Sequence, residues 1–366
     1  MSSLAIKGVA KTFGRVPALD GIDLMVLEGE FCVIAGPSGA GKSTLLRAIA
    51  GLEQIDSGTI EIDGEVVNDL RPRQRDVAMV FQCDALFPAM SVYKNIAFSL
   101  EARKTPRAEI EPRVARVAGL LGLTAKLKSR TRLLSQPDRR RAAIARAVVR
   151  DAGLCLLDEP LANVEAELRD QLRDEIKLLH REFPTTRLNV THDPVEAMTL
   201  ADRTVLMRDG RVEQEGTPLD LFERPRTRFV AGFFGWPKMN FLTGALGRSE
   251  AGDVIRLGSD GTIVKLPPNR LPKEAADGLS VILGLRPENM MRAVRASPPD
   301  GVFRHDAEIE VLRPMGSRTY AMFKMGGAPV VAELLAHDVS RPCDRIPIDV
   351  NLKRAVIFDA LTEKAL

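Results

Sequence analysis

One stretch constrains the fold more than any other: Gly36-Pro37-Ser38-Gly39-Ala40-Gly41-Lys42-Ser43-Thr44. It fits G-x-x-x-x-G-K-[ST] and lies between two different periodicities. Before it, Phe31-Cys32-Val33-Ile34-Ala35 is a short, continuous apolar run of strand type. After it, Leu45-Leu46-Arg47-Ala48-Ile49-Ala50 reads as a helix stopped by Gly51. A glycine-rich loop joining a strand to a helix N-terminus aims several backbone N–H groups at one point. The helix dipole makes that point favourable for phosphate. Lys42 is then placed to reach the β- and γ-phosphates of a nucleotide, and the Ser43 hydroxyl to help hold Mg²⁺. The competing reading is a chance match in a glycine-rich turn, and the strand–loop–helix context argues against it.

Further along, strands keep alternating with helices. Residues 4–30 switch between apolar and polar with turn punctuation, as in Ala18-Leu19-Asp20-Gly21-Ile22-Asp23-Leu24, which predicts an antiparallel β portion. Phe13 lies within it, either as a core aromatic or as one that stacks on a purine. Gly58-Thr59-Ile60-Glu61-Ile62-Asp63-Gly64 reads as strand and turn, and Val77-Ala78-Met79-Val80-Phe81 as a buried strand ending in Gln82. From about 90 to 150 the pattern is helical, with Ile110, Val114, Val117 and Leu121 on one apolar stripe. The basic run Arg139-Arg140-Arg141 reads as a solvated helix face.

Leu154-Cys155-Leu156-Leu157 is a continuous apolar strand running into Asp158-Glu159-Pro160. Leu168, Leu172, Ile176, Leu179 and Phe183 mark an amphipathic helix, and Leu188-Asn189-Val190-Thr191 a strand ending at His192. A helix follows with Asp193 as N-cap, Pro194 at its first position and Glu196 in a capping-box position. This alternation predicts a mostly parallel sheet with helices on both faces. Such sheets bind ligands at the C-terminal ends of their strands. The phosphate loop, Gln82, Asp158-Glu159 and His192 each follow a strand directly.

A length of 366 residues predicts two domains. Composition shifts at Glu223-Arg224-Pro225-Arg226 and Gly235-Trp236-Pro237-Lys238, beyond which short strand-like runs dominate. We therefore place a nucleotide-binding domain at 1–236, with a helical portion at about 88–150, and an all-β domain at 237–366. A net charge of +3, with two tyrosines and one tryptophan, argues against a nucleic-acid partner. The four cysteines have no metal spacing; three lie in or beside apolar runs, as buried reduced thiols do. The N-terminus has no signal-peptide core, and no stretch approaches the ~18 apolar residues of a membrane span. Any membrane role is expected to come through a partner.

Hydrolysis of a nucleotide's terminal phosphate needs positioning, a metal, charge stabilisation and an oriented water. Asp158, closing an apolar strand, suits holding Mg²⁺ through water, and Glu159 suits polarising the attacking water. Gln82 suits contact with metal or water, and His192 a hydrogen bond to the γ-phosphate. Each also has a plainer reading, as a strand end or a solvated loop carboxylate, and only their joint position in the strand series raises them above it.

These residues carry a family resemblance. Gly36 to Thr44, Gln82, Leu154 to Pro160 and Thr191-His192-Asp193 resemble, in order and spacing, the Walker A, Q-loop, Walker B and switch-histidine motifs of ABC-transporter ATPases. Residues 200–243, and Gly284-Leu285-Arg286-Pro287-Glu288, resemble the importer subfamily serving sugars and glycerol-3-phosphate. The resemblance implies an α/β P-loop NTPase with an antiparallel β portion and a helical subdomain, followed by a smaller OB-like regulatory domain. It implies ATP and Mg²⁺ as cofactors, adenine stacking on Phe13, and integral-membrane permease subunits contacted by the region after Gln82. It further implies a second ATPase subunit, a periplasmic or extracellular solute-binding protein, and a peripheral place on the cytoplasmic face of the inner membrane.

The sequence departs from that family in one segment above all. Where the family has Leu-Ser-Gly-Gly-Gln, this chain has Leu134-Ser135-Gln136-Pro137-Asp138. In the family this segment, with its serine, closes over the nucleotide of the opposite subunit. As a helix start the variant is sound, with Ser135 as N-cap and Asp138 in a capping-box position. As a phosphate clamp it is poor: Pro137 has no N–H, Gln136 adds a side chain where glycine permits close approach, and Asp138 is expected to bring negative charge near a polyanion. Losing one hydrogen bond to a charged group costs about 1.5–3 kcal/mol. Leu161-Ala162-Asn163-Val164-Glu165 has Glu where the family usually has Asp and Ala where Ser is common, and Cys83-Asp84 replaces a usual Ser-Tyr. The reading is an importer ATPase paired with a non-identical second ATPase. The alternatives are a nucleotide-binding regulatory subunit with little hydrolysis and an ATPase of nucleic-acid repair or translation.

Overall fold

A computed structural model describes residues 1–366 except 163, 249–251, 259, 269, 273, 274 and 339–342. Asn163 thus lies outside the described residues. The chain divides into two compact units, Met1–Leu219 and Asp220–Leu366.

In the first unit, alternation produces an antiparallel sheet of β1 (Leu4–Phe13), β2 (Val16–Val26), β4 (Ser57–Ile62) and β5 (Glu65–Val66), ordered β2-β1-β4-β5, with β3 (Phe31–Ala35) and α1 (Lys42–Ala50) between β2 and β4. Leu4 and Ile6 of β1 pair with Val26 and Leu24 on one side and with Ile62 and Ile60 on the other, so one face is wholly apolar. The remaining elements are β6 (Val77–Val80), α2 (Val92–Ala102), α3 (Arg107–Leu120), α4 (Gln136–Val148), β7 (Leu154–Asp158), α5 (Ala166–Glu182), β8 (Thr186–Thr191), α6 (Pro194–Leu200), β9 (Arg203–Arg208) and β10 (Arg211–Gly216).

Strand β3 is the middle of a second sheet, ordered β10-β9-β3-β8-β7-β6. All its pairings are parallel except the edge strand β10 against β9. Every residue of β3, β7 and β8 is buried, as continuous apolar runs covered on both faces require. Fully burying a Leu or Ile side chain contributes about 1.5–3 kcal/mol, and one cluster joins both sheets through Leu4, Ile6, Ile34, Leu156, Leu188 and Val190.

The predicted stripe of Ile110, Val114, Val117 and Leu121 is buried throughout; in α5 Leu172, Ile176 and Leu179 are buried and Leu168 is half-buried, as is Phe183 at its C-cap. Three local expectations need correction. Strand β6 closes at Val80, leaving Phe81 exposed. Cys83 and Cys343 are exposed, and only Cys32 and Cys155 are buried; all four are free thiols. The run Arg139-Arg140-Arg141 is not a solvated face, because Arg140 is 3% exposed and Arg141 forms a two-bond pair with Glu175 of α5 at 2.8 Å each.

In the second unit, a five-stranded antiparallel sheet runs Thr262–Lys265, Val254–Leu257, Asn240–Gly247, Ser280–Leu285, Val356–Asp359 in spatial order, and two three-stranded sheets accompany it. Leu242, Ile255, Leu283, Phe323, Val330 and Ile348 meet in its core. Residues 222–234 pack within this unit. The buried Arg286 guanidinium donates to the carbonyls of Phe222 at 2.6 Å and Phe234 at 2.9 Å and lies 3.5 Å from the Phe222 ring centroid. Burial lowers its pKa to about 10. No helix among the described residues is long and apolar enough to cross a membrane.

Candidate functional site

Parallel register brings the predicted residues to one sheet end. Ala35 pairs with Thr191, Asp158 with Val190, and Val80 with Leu157, so the residues that follow β3, β8, β7 and β6 emerge together. Gly41 precedes α1 with φ 93°, and a Cβ there would come within 2.2 Å of the Ala18 carbonyl oxygen. Gly36 is as constrained, with φ 151° and 2.3 Å to the Met207 carbonyl oxygen. Both positions accept only glycine.

Lys42 is buried, and its ammonium donates to the carbonyls of Gly36 at 2.9 Å and Pro37 at 2.8 Å, folding the loop of Pro37, Ser38, Gly39 and Ala40 around it. Burial lowers its pKa, against the opposing pull of Glu159 and Asp158. The Ser43 hydroxyl donates to Asp158 Oδ1 at 2.9 Å. A hydroxyl and a carboxylate 115 residues apart along the chain are therefore adjacent, which is the hard-oxygen donor pair that Mg²⁺ accepts while retaining water and phosphate oxygens.

Glu159 is the next residue, and its backbone is unusual. At φ 47° it occupies the left-handed region, which costs of order 1–3 kcal/mol for a residue other than glycine. Its N–H donates to the Val190 carbonyl at 3.0 Å. Its carboxylate is held from two sides: Gln82 Nε2 donates to Oε2 at 3.3 Å, and His192 Nδ1 lies 3.2 Å from Oε1. Gln82, Glu159 and His192 thus form one continuous polar row. Thr44 lies half-buried on α1. Phe13 is 49% exposed with the Lys11 ammonium 5.3 Å from its ring centroid, so of its two readings the core aromatic is excluded.

The altered segment folds as its helix signals predict, but its charge does not point outward. Ser135 caps α4, accepting from the Asp138 N–H at 3.4 Å, while its hydroxyl donates to Asp138 Oδ2 at 2.6 Å. Asp138 is only 6% exposed, bonded by Lys126 and 3.5 Å from Arg141. Burial works to raise its pKa, but the bonds from Lys126 and Ser135, with Arg141 nearby, hold the carboxyl below the usual range. The expected negative charge facing a polyanion is therefore turned inward and paired. What remains altered is the missing N–H of Pro137, the exposed side chain of Gln136 and a Ser135 hydroxyl already engaged.

Glu196 does not complete a capping box. The Asp193 N–H donates instead to Thr191 Oγ1 at 3.0 Å, and the Glu196 side chain is turned inward and buried. Burial raises its pKa to about 7 against the opposing effect of Thr191.

One residue at the site has no counterpart among the predicted ones. Arg140 reaches from α4 beneath both Gln82 and Glu159, donating to their carbonyls at 3.1 and 2.6 Å, to that of Phe81 at 2.9 Å and to that of Pro160. A signal for it exists in the sequence: Ile144 and Ala147, four and seven positions on, are buried, so Arg140 sits on the helix's core stripe.

Comparison with known proteins identifies the family. A family described as ABC transporter matches residues 19–162, and one described as MalK OB fold domain matches 235–290. The sn-glycerol-3-phosphate import ATP-binding protein UgpC of Cupriavidus pinatubonensis is 44% identical over 100% of both chains. An uncharacterized ABC transporter ATP-binding protein, y4oS of Sinorhizobium fredii, is 41% identical over 99% of this chain and 94% of that one. Among solved structures, cbiO1 from Clostridium perfringens, part of the ABC transporter complex cbiONQ, has a TM-score of 0.56 at 28% identity, covering 60% of this chain and 90% of its own. The ATP-binding cassette MJ0796 in a post-hydrolysis state bound to ADP and Pi has a TM-score of 0.52 at 28% identity, covering 59% and 98%. With both parts matched in order and a relative aligned from end to end, the chain belongs to the ABC-transporter ATP-binding family, as an importer ATPase carrying a MalK-type OB domain.

Proposed function

We propose that this chain binds Mg-ATP on Gly36–Thr44 and hydrolyses it to drive import of a sugar or glycerol-3-phosphate type solute through integral-membrane permease subunits. The observation that carries the reading is the row Gln82–Glu159–His192 set directly beside the Ser43–Asp158 pair. Glu159 acts as the base that polarises the attacking water, and Gln82 and His192 hold its carboxylate in place. His192 is further assigned a hydrogen bond to the γ-phosphate, and Lys42 supplies positive charge to the loop. Mg²⁺, when bound, neutralises charge on the phosphate oxygens; Ser43 and Asp158 hold it, with Gln82 beside it. Phe13 offers an exposed ring for the adenine. The relatives named for glycerol-3-phosphate import support the solute class. A solute-binding protein outside the membrane and a peripheral place on its cytoplasmic face follow from the same reading.

Turnover and glycerol-3-phosphate uptake by the full chain assembled with its permease in vesicles test it. Glu159→Gln is expected to lower the ATP turnover number by about 10²–10⁴-fold while ATP still binds. Full turnover by that variant contradicts the assignment.

A second reading rests on Ser135, whose hydroxyl is engaged by Asp138. A weak clamp over the partner's nucleotide suits pairing with a second, non-identical ATPase whose own Leu-Ser-Gly-Gly-Gln closes this chain's site. At its limit it suits a regulatory subunit that binds ATP with little hydrolysis.

A further inference from the structure

We propose that Arg140 is a positioning residue for hydrolysis: its guanidinium ties the end of β6 to the turn after β7 and so sets the Glu159 carboxylate between Gln82 and His192. The inference rests on the reading of Glu159 as the base.

The geometry is specific. Arg140 Nη2 donates to the Glu159 carbonyl at 2.6 Å, and Nε to that of Pro160. Nη1 donates to the carbonyls of Phe81 at 2.9 Å and Gln82 at 3.1 Å, with Asp84 Oδ1 at 3.4 Å. A planar fork of five N–H donors serves carbonyls on two segments at once, where the three donors of a lysine ammonium would serve fewer of them. The charge is otherwise costly where it lies, since Arg140 is buried and its nearest carboxylate contact is the long one to Asp84. A buried cation spent on backbone carbonyls needs a return, and Glu159 provides it. A left-handed non-glycine backbone persists only where its surroundings over-determine it. Here the Glu159 N–H is fixed by Val190 and its carbonyl by Arg140. Rotation about that peptide would swing the carboxylate away from His192. Arg140 also lies little more than one turn beyond Ser135, so the helix that starts at the altered clamp is the one bolted to the base.

The test uses the full chain assembled with its permease, comparing the parent with Arg140→Ala, Arg140→Lys and Glu159→Gln. The readouts are kcat, KM for ATP, Mg-ATP affinity and Tm. The expected result is a fall in kcat of at least tenfold for Arg140→Ala with KM and affinity within about threefold, and partial recovery in Arg140→Lys. If Arg140→Ala does not fold, a lowered kcat in a folded Arg140→Lys supports the proposal. A kcat within twofold of the parent, or losses of kcat, affinity and Tm in step, overturns it while leaving Glu159 as base. Undiminished turnover by Glu159→Gln instead removes the base assignment, and the inference with it.

Discussion

At the residue scale, the site works by holding few groups tightly. Ser43, Asp158, Glu159, Gln82 and His192 come from four segments: Ser43 bonds Asp158, and both Gln82 and His192 bond Glu159, the residue after it. Glu196, one turn beyond His192, gives the site a pH-dependent neighbour. Its carboxyl, ordinarily near 4.5, is raised by burial to about 7, with Asp193 adding to the rise and Thr191, Asn189 and Arg173 opposing it. Arg140 also lies within its field. Between those two pH values the unfolded chain has lost the proton and the folded chain has kept it, so rising pH destabilises the fold through that window. The full shift corresponds to at most about 3 kcal/mol. Glu196→Gln is therefore expected to melt several degrees above the parent at pH 8, with the difference shrinking below pH 5; calorimetry across that range measures it. An equal difference at both pH values would show that ionisation is not the cause.

At the element scale, strands were legible and helix faces only partly so. A short run such as Leu154–Leu157, set between turn signals, reads as a strand covered on both faces, and parallel register then fixes where Asp158 and Glu159 go. A charged residue carries no such signal. Arg139-Arg140-Arg141 read as solvent-facing and Asp138 as facing a polyanion, because charge is usually turned outward, and position on the helix overrides type: Asp138 and Arg140 are both buried. The left-handed backbone of Glu159 was illegible for the same reason, since nothing in Asp158-Glu159-Pro160 announces it. Helix α4 itself yields a prediction. Replacing Gln136→Gly, Pro137→Gly and Asp138→Gln restores clamp donors but removes the inward pairing with Lys126 and Arg141. ATP turnover of the chain paired with itself is expected to rise about tenfold or more as one charged hydrogen bond is regained. The Tm is expected to fall, because each glycine added to the helix start costs up to about 1 kcal/mol and the ion pairs are lost. Unchanged turnover in a folded variant would show that the native segment already serves as a clamp.

At the scale of the whole molecule, the two units divide their tasks. The first carries every residue assigned to ATP, and the second is an antiparallel β unit whose motif Gly284-Leu285-Arg286-Pro287-Glu288 proves structural at Arg286, the staple that binds residues 222–234 to it. The composition shift near residues 223–238 was visible in the sequence, but the bond from Arg286 to the Phe222 carbonyl was not, because the two lie 64 residues apart along the chain. In the proposed pairing, the phosphate loop of one ATPase subunit meets the clamp of the other, so this chain contributes an intact catalytic half and an altered cover. The steady-state ATP turnover of the full chain on its permease tests this directly, measured once as a strict homodimer and once beside a subunit bearing Leu-Ser-Gly-Gly-Gln. The homodimer is expected to turn over at least about tenfold more slowly, the loss that one missing charged hydrogen bond causes. Equal rates in the two assemblies would contradict the account.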